Sequence, residues 1–287
     1  MPGADSKTII GKISYTNAWP VFHYVHPSTL DTPAEMITAV PAALNRGMHS
    51  GEIHIGALSS FAYAEMSDRL LLLPDLSVSA DGAVNSIFLF SKKPLDALKN
   101  ATIALTNTSA TSVNLLKILL EKSLGGTYSY RTCDPVLSEM MAEADAALLI
   151  GDHAIRASWS HSDYYKTDLG QWWKEWTGCS MTFAVWAVNR HAVKQNPEGM
   201  AEIAAMFLES KQRSVSDLSP IVDEAVRRIG GTGGYWMKYF SNLCYHFDER
   251  QQEGLRLYFK FAYELGLLER EVVPELWNEK LSIRVNK

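Results

Sequence analysis

One pattern occurs twice along the chain and restricts its fold more than any other feature. The first copy is a helix-like stretch, PAALNRGMHS (residues 41–50), followed by an acidic step at Glu52. Next come the apolar strand Ile53-His54-Ile55-Gly56-Ala57, a polar turn at Ser59-Ser60 and a new helix, FAYAEM. The second copy runs VLSEMMAEA, Asp145, the strand Ala146-Ala147-Leu148-Leu149-Ile150, the turn Gly151-Asp152-His153 and a helix beginning AIRASW. A short apolar run that passes through a polar turn straight into a helix reads as a strand buried on both faces, which marks a parallel βαβ unit. Two such units predict an α/β protein of two lobes, and 287 residues are enough for two lobes of ordinary size.

Two strand-like runs sit where the chain would cross between lobes. Asn85–Ser91 (NSIFLFS) leaves the first lobe after the loop SADGAV, and Thr182–Val188 (TFAVWAV) returns to it. The first lobe is therefore expected to be discontinuous, residues 1–90 plus 187–287, with the second, 91–186, inserted into it. That layout puts a ligand cleft between the lobes and lets a hinge close it. Beyond residue 190 the pattern turns helical, in EGMAEIAAMFLESKQRSV and QQEGLRLYFKFAYELGLL, and both helices are expected to pack on the first lobe. Gly230-Gly231-Thr232-Gly233-Gly234 has the look of a phosphate loop, yet no strand precedes it and no Lys-Ser/Thr pair follows. A helix-to-helix turn is the expectation there.

Several function classes fall away on composition. With 47% apolar residues, 21% charged residues and a net charge of −5, the chain reads as globular and soluble, and no basic excess points to a nucleic-acid partner. No run approaches the roughly 18 apolar residues of a membrane span, and MPGADSKTIIGK lacks the apolar core of a secretory signal, so a cytoplasmic protein without a membrane partner is expected. Cys133, Cys179 and Cys244 are odd in number, far apart and free of CxxC spacing, which predicts reduced thiols. HExxH, a nucleophile elbow and a complete Walker loop are missing, and His23 and His26 have no carboxylate ligand nearby in sequence. Neither a metal nor a cofactor is expected.

The remaining chemistry lies in uncharged turns. ISYTNAWP (residues 13–20) ends a strand in hydroxyl, amide and indole side chains closed by a proline. It is either a polar turn or a ligand site at the carboxyl end of a strand, where open α/β sheets place their ligands. Thr108, Ser109, Thr111 and Ser112 crowd the start of a helix that buries Val113, Leu115, Leu116, Leu119 and Leu120 and ends at Gly125-Gly126. Capping needs one such hydroxyl, whereas four beside free N–H groups also make a carboxylate or phosphate site; both uses fit. Asp81, Asp152 and His153 are the ionisable side chains in turn positions, and Asp152 suits helix capping as well as catalysis.

Taken in order, these segments carry a resemblance. ISYTNAWP resembles the amino-terminal signature, roughly I-x-Y-x-N-x-x-P, of the chorismate dehydratase family of the futalosine route to menaquinone. GEIHIGALSSFAYA, NSIFLFS, TSATSVNLLKILL, LLIGDHAI and MTFAVWAVN continue the match in the family's order, over roughly residues 9–190. The sister family that makes a dihydroxynaphthoate opens with a Ser-Pro-Cys-Pro-Asn-like signature, which this chain lacks. The resemblance implies a type II periplasmic-binding-protein-like fold, two α/β lobes around a ligand cleft.

It also implies an activity, the loss of water from chorismate to leave 3-[(1-carboxyvinyl)oxy]benzoate, carried out by a carbon–oxygen lyase. On that reading Asn17 and Ser86 are expected to be catalytic. The Asn17 amide can hold the leaving hydroxyl or a ring carboxylate without repelling a dianion. Tyr15, Ser59, Ser60, Thr108, Ser109, Thr111, Ser112, Gly151 and Asp152 are expected to bind substrate, with the hydroxyls of the helix start taking a carboxylate. Tyr15 and Trp19 have the shape to wall a ring and equally to fill a core. The base is either the enolpyruvyl carboxylate of the substrate or Asp152 or His153, and the shortage of general bases in the matched motifs favours the substrate. The competing readings on the same fold are a non-catalytic binder of small carboxylates and a 1,4-dihydroxy-6-naphthoate synthase.

Overall fold

The computed structural model describes residues 7–160 and 163–278; both chain ends, which bound the expected first lobe, lie outside the described residues. The strands in chain order are Thr8–Ile13 (β1), Ala34–Ala39 (β2), Ile55–Ser59 (β3), Leu70–Ala80 (β4), Ile87–Ser91 (β5) and Thr102–Thr106 (β6). Ser129–Cys133 (β7), Ala146–Ile150 (β8), Tyr165–Asp168 (β9), Met181–Asn189 (β10) and Leu243–Cys244 (β11) follow. They form two sheets, ordered β11-β4-β10-β3-β1-β2 and β7-β6-β8-β5-β9. In the first, β1 pairs in parallel with β2 and β3; in the second, β6 pairs in parallel with β7 and β8. Each copy of the repeated sequence unit thus supplies a central parallel strand. The strand β5 runs antiparallel between β8 and β9, and β10 antiparallel between β3 and β4.

Local sequence explains most of this. Every residue of β3 and of β8 is buried, so neither strand shows the alternation that a half-exposed strand needs. The edge strand β2, AEMITA, is exposed or half-exposed throughout and carries almost no apolar signal. At Gly56 the backbones of β1 and β3 come so close that a Cβ would lie 2.3 Å from the Gly11 carbonyl oxygen, and only glycine fits. The long helix Pro197–Ser216 packs on the short helix Trp19–Phe22, where the Phe22 and Phe207 rings meet edge to face at 5.5 Å. The helix Glu249–Glu264 covers β10 and also grips the helix Ala110–Ile118 beside the second sheet, through a hydrogen bond from the Tyr258 hydroxyl to the Thr111 carbonyl at 3.1 Å. The glycine-rich segment is a turn between the helices Ser219–Ile229 and Gly233–Asn242, and Thr232 caps the second of these by accepting the Tyr235 N–H. Among the described residues no helix is long and apolar enough to cross a membrane.

Candidate active site

The parallel strands end toward one another, and the residues just past their ends enclose a common cavity. Ile13 ends β1 and Tyr15 and Asn17 follow it, Pro41 follows β2, Ser59 ends β3, Ser109 and Ser112 follow β6, and Ile150 ends β8 with Gly151 next. Ile87 of β5 and Phe183 and Ala184 of β10 complete the walls. Its volume is about 30 Å³, room for one water. Pockets for small organic ligands run to about 300 Å³ or more, so as it stands the cavity is too small for one.

No charged side chain is among these walls. Instead three helices start there, Pro41–Ser50, Ala110–Ile118 and Gly151–Ser160, each presenting the positive end of its dipole. Ser109 caps the second of them, accepting the Ser112 N–H at 3.3 Å. Asn17 lies in the 3-10 turn Thr16–Ala18, and its Oδ1 is buried without a hydrogen-bond partner; the same holds for the Tyr15 hydroxyl. Burial pushes the Tyr15 phenol up in pKa, the nearby Thr108 hydroxyl pulls it back, and the Asp152 carboxylate pushes it up again, so it stays a neutral donor. Buried polar atoms left unbonded cost roughly 1–3 kcal/mol each, and both residues belong to the cavity lining. The arrangement suits a small anion held by neutral donors and helix ends.

Of the expected site residues, Tyr15, Asn17, Ser59, Ser109, Ser112 and Gly151 face the cavity. The others stand behind its walls. Ser60 is fully buried and donates to the Thr182 carbonyl at 2.8 Å. The Thr111 hydroxyl accepts the Phe61 N–H at 2.9 Å, and Thr108 shares a hydrogen bond with Thr106 at 2.8 Å. Ser86 is fully buried, its hydroxyl 3.4 Å from the Val84 carbonyl while its own carbonyl accepts the Gly151 N–H at 2.7 Å. Asp152 accepts the Thr16 hydroxyl at 2.6 Å and the Thr16 N–H at 3.3 Å through one oxygen. His153 is exposed, its ring edge-on to Tyr15 at 6.4 Å. Trp19 is buried with the Arg228 guanidinium 5.0 Å from its ring, and Asp81 pairs with Lys174 and Arg250. Spacing held a usable signal: Ser109 and Ser112 are three apart and share a helix face, whereas Thr111 points elsewhere.

Other contributors escape a reading of the sequence. Asn45 donates to the Ser59 hydroxyl at 3.2 Å and accepts the Ser59 N–H at 3.3 Å, fixing that residue at the wall, yet in PAALNRG it looks like any polar helix position. Tyr239 is buried, its hydroxyl beside Ser86 and Thr16 without a hydrogen bond of good geometry. Burial pushes this phenol up, the Ser86 hydroxyl opposes it, and Asp152 adds to the rise. Phe183, Ile87 and Ile150 read as core in the sequence, because an apolar wall and an apolar core have the same composition. Among the described residues no group of three or more His, Cys, Asp or Glu is placed to hold a metal ion, and all three cysteines are free.

Comparison with known proteins agrees with this architecture. A protein of Archaeoglobus fulgidus superposes with a TM-score of 0.75 at 18% identity, covering 91% of this chain and 98% of that one. The periplasmic aliphatic sulphonate binding protein of Escherichia coli superposes with a TM-score of 0.65 at 12% identity, covering 94% and 96%. At such identities the likeness shows the fold alone, that of the periplasmic binding proteins. In sequence, a chorismate dehydratase of Thermus thermophilus is 34% identical over 274 residues, 90% of this chain and 95% of that protein. The family described as menaquinone biosynthesis matches residues 8–264. By that span and by the near full-length relative, the chain belongs to the menaquinone biosynthesis family.

Proposed function

We propose that this chain removes water from chorismate to give 3-[(1-carboxyvinyl)oxy]benzoate, as a carbon–oxygen lyase. The observation that carries the reading is a cavity lined by uncharged donors, Tyr15, Asn17, Ser59, Ser109 and Ser112, at the starts of three helices. The relative of nearly the same length named a chorismate dehydratase supports it. The substrate is a dianion, and helix N-termini and neutral amides attract it without trapping the product as fixed cations would.

The reaction begins with loss of the proton on the ring carbon that bears the enolpyruvyl ether. The electron pair left behind is conjugated through the ring double bond with the ring carboxylate, and it then expels the neighbouring hydroxyl, which takes up the proton first removed and leaves as water as the ring becomes aromatic. Such an elimination needs orientation and hydrogen bonds to developing charge more than a strong base. Asn17 is assigned to the departing hydroxyl or the ring carboxylate, and the Ser109 and Ser112 hydroxyls with their helix start to the other carboxylate. No carboxylate or imidazole is among the described cavity walls, which favours the enolpyruvyl carboxylate as proton acceptor over Asp152 or His153. Ser86, with Tyr239 beside it, is assigned to the hinge at the head of β5.

On this reading the lobes are residues 1–90 plus 187–287 and 91–186, and the enzyme works in the cytoplasm on a free small molecule. An elimination of this kind needs no redox cofactor. Incubating the purified protein with chorismate and following both substrate and products by chromatography tests the reading. Loss of chorismate with the appearance of an aromatic ether is expected; quantitative recovery of chorismate would sink it.

A further inference from the structure

We infer that Asp152 is a positioning residue: with the cleft closed, its carboxylate holds Thr16 and thereby sets the turn that presents Asn17, while its helix docks across the cleft. The inference rests on the functional reading above and deepens it. Asp152 Oδ1 takes both donors of Thr16, the hydroxyl at 2.6 Å and the N–H at 3.3 Å, although the two residues are 136 positions apart. Thr16 is fully buried and directly precedes Asn17 in the same 3-10 turn. Beside Asp152, Gly151 has φ +56°, and a Cβ there would stand 2.8 Å from the ring of Tyr15, the residue that precedes Thr16, so the helix start lies flat against it. The two residues that lead into Asn17 are thus held by one helix beside the second sheet.

The same helix has a second foot. Trp159, about 12 Å farther along the axis, meets the Tyr235 and Trp236 rings edge to face at 5.1 and 6.1 Å. Gly231, at φ +80°, makes room for it, because a Cβ would fall 2.9 Å from the indole. Tyr235 and Trp236 belong to the helix Gly233–Asn242, which packs beside β11 of the first sheet. The glycine-rich segment therefore has a use unrelated to phosphate: it seats an aromatic from the facing side. A cavity of about 30 Å³ is too small for an organic ligand, and on this inference the walls part for one by releasing these contacts and regain them around it. The Asp152 carboxylate meanwhile is absent from the cavity walls and has Oδ1 engaged by Thr16, which suits a clamp and not a proton acceptor.

Asp152→Asn, Asp152→Ala and Thr16→Val separate the two roles. Asparagine keeps a carbonyl oxygen that accepts from Thr16 but is no base. For a clamp, Asp152→Asn stays within about fivefold of the parent, whereas Asp152→Ala and Thr16→Val each lose about tenfold to a hundredfold in kcat, the usual effect of a hydrogen bond to a charged group. Combining Thr16→Val with Asp152→Ala should cost no more than Asp152→Ala alone. If Asp152→Asn is as inactive as Asp152→Ala while Thr16→Val works at the parental rate, Asp152 is the proton acceptor and the inference fails. Should Asp152→Ala not fold, the contrast of Asp152→Asn with Thr16→Val decides alone. Amide hydrogen exchange supplies an arm that needs no turnover. The segment 15–18 should exchange about tenfold faster in Asp152→Ala than in the parent or Asp152→Asn; equal rates in all three overturn the clamp. A parent protein inert toward chorismate would defeat the functional reading and leave the exchange result to judge Asp152.

Discussion

Replacing Asn17 by aspartate isolates the chemistry of the cavity from its architecture. The two side chains match in size and both tolerate turns, and Asn17 Oδ1 has no partner within the protein to lose. What changes is the cavity. The two amide N–H donors disappear, and removal of one preorganised donor to developing charge costs about a hundredfold to a thousandfold in rate. A negative charge also appears where no cation lines the walls. Against a substrate carboxylate at about 4 Å, with an effective dielectric constant near 20, that repulsion is about 4 kcal/mol. The combined loss is about five orders of magnitude in kcat/KM, beyond the reach of an ordinary assay. Because the new carboxyl would sit half-buried beside like charge, it should take up a proton well above the usual carboxylate range, so part of the activity should return toward pH 5. Chorismate consumption at several pH values, with thermal melting in parallel and Asn17→Ser as a donor-bearing control, measures all of this. Dehydration by Asn17→Asp within a few-fold of the parent rate, at an unchanged Tm, would make ISYTNAWP a polar turn and refute the reasoning.

Three further outcomes follow from the same geometry. Gly151→Ala forces a side chain into a left-handed conformation 2.8 Å from the Tyr15 ring; a loss of about 1–3 kcal/mol in stability and a raised KM are expected, and a variant with parental Tm and KM would contradict this. Ser109→Ala should weaken chorismate binding by about 1–3 kcal/mol, whereas Thr111→Ala, which orphans the Phe61 N–H, should lower Tm and leave affinity alone; the reverse pattern in calorimetry would exchange their roles. His54 accepts the Ile9 N–H through Nδ1, which requires a neutral ring, and burial first and His191 second lower its pKa below 6.5. Its folded pKa being the lower one, this stabilisation is present above pH 6.5 and fades as pH falls toward the folded value, so between pH 7.5 and 5 the parent Tm should fall more steeply than that of His54→Asn. Parallel Tm profiles would show that His54 does not titrate with unfolding.

The central strands β3 and β8 were legible because a strand covered on both faces is an unbroken apolar run, as AALLI in β8 shows. The edge strand β2 was not, since AEMITA meets solvent along most of its length and has no burial to write into its composition. Among candidate site residues the divide falls between neighbours. Ser59 faces the cavity and Ser60 the Thr182 carbonyl, although the two are adjacent and chemically alike. Ser109 and Thr111 part in the same way, one to the cavity and the other to Phe61.

By itself the sequence determined the alternation of strand and helix, the doubled βαβ unit and the uncharged character of the two turns ISYTNAWP and 108–112. These are local properties, written in periodicity and residue type over a few positions. The tertiary structure alone decided which hydroxyls converge, that Asn45 steadies Ser59, and that Asp152 meets Thr16 across 136 residues of chain. Such contacts depend on how two sheets are set against each other, and that docking is governed by packing and burial summed over both sheets, which no short stretch of sequence encodes.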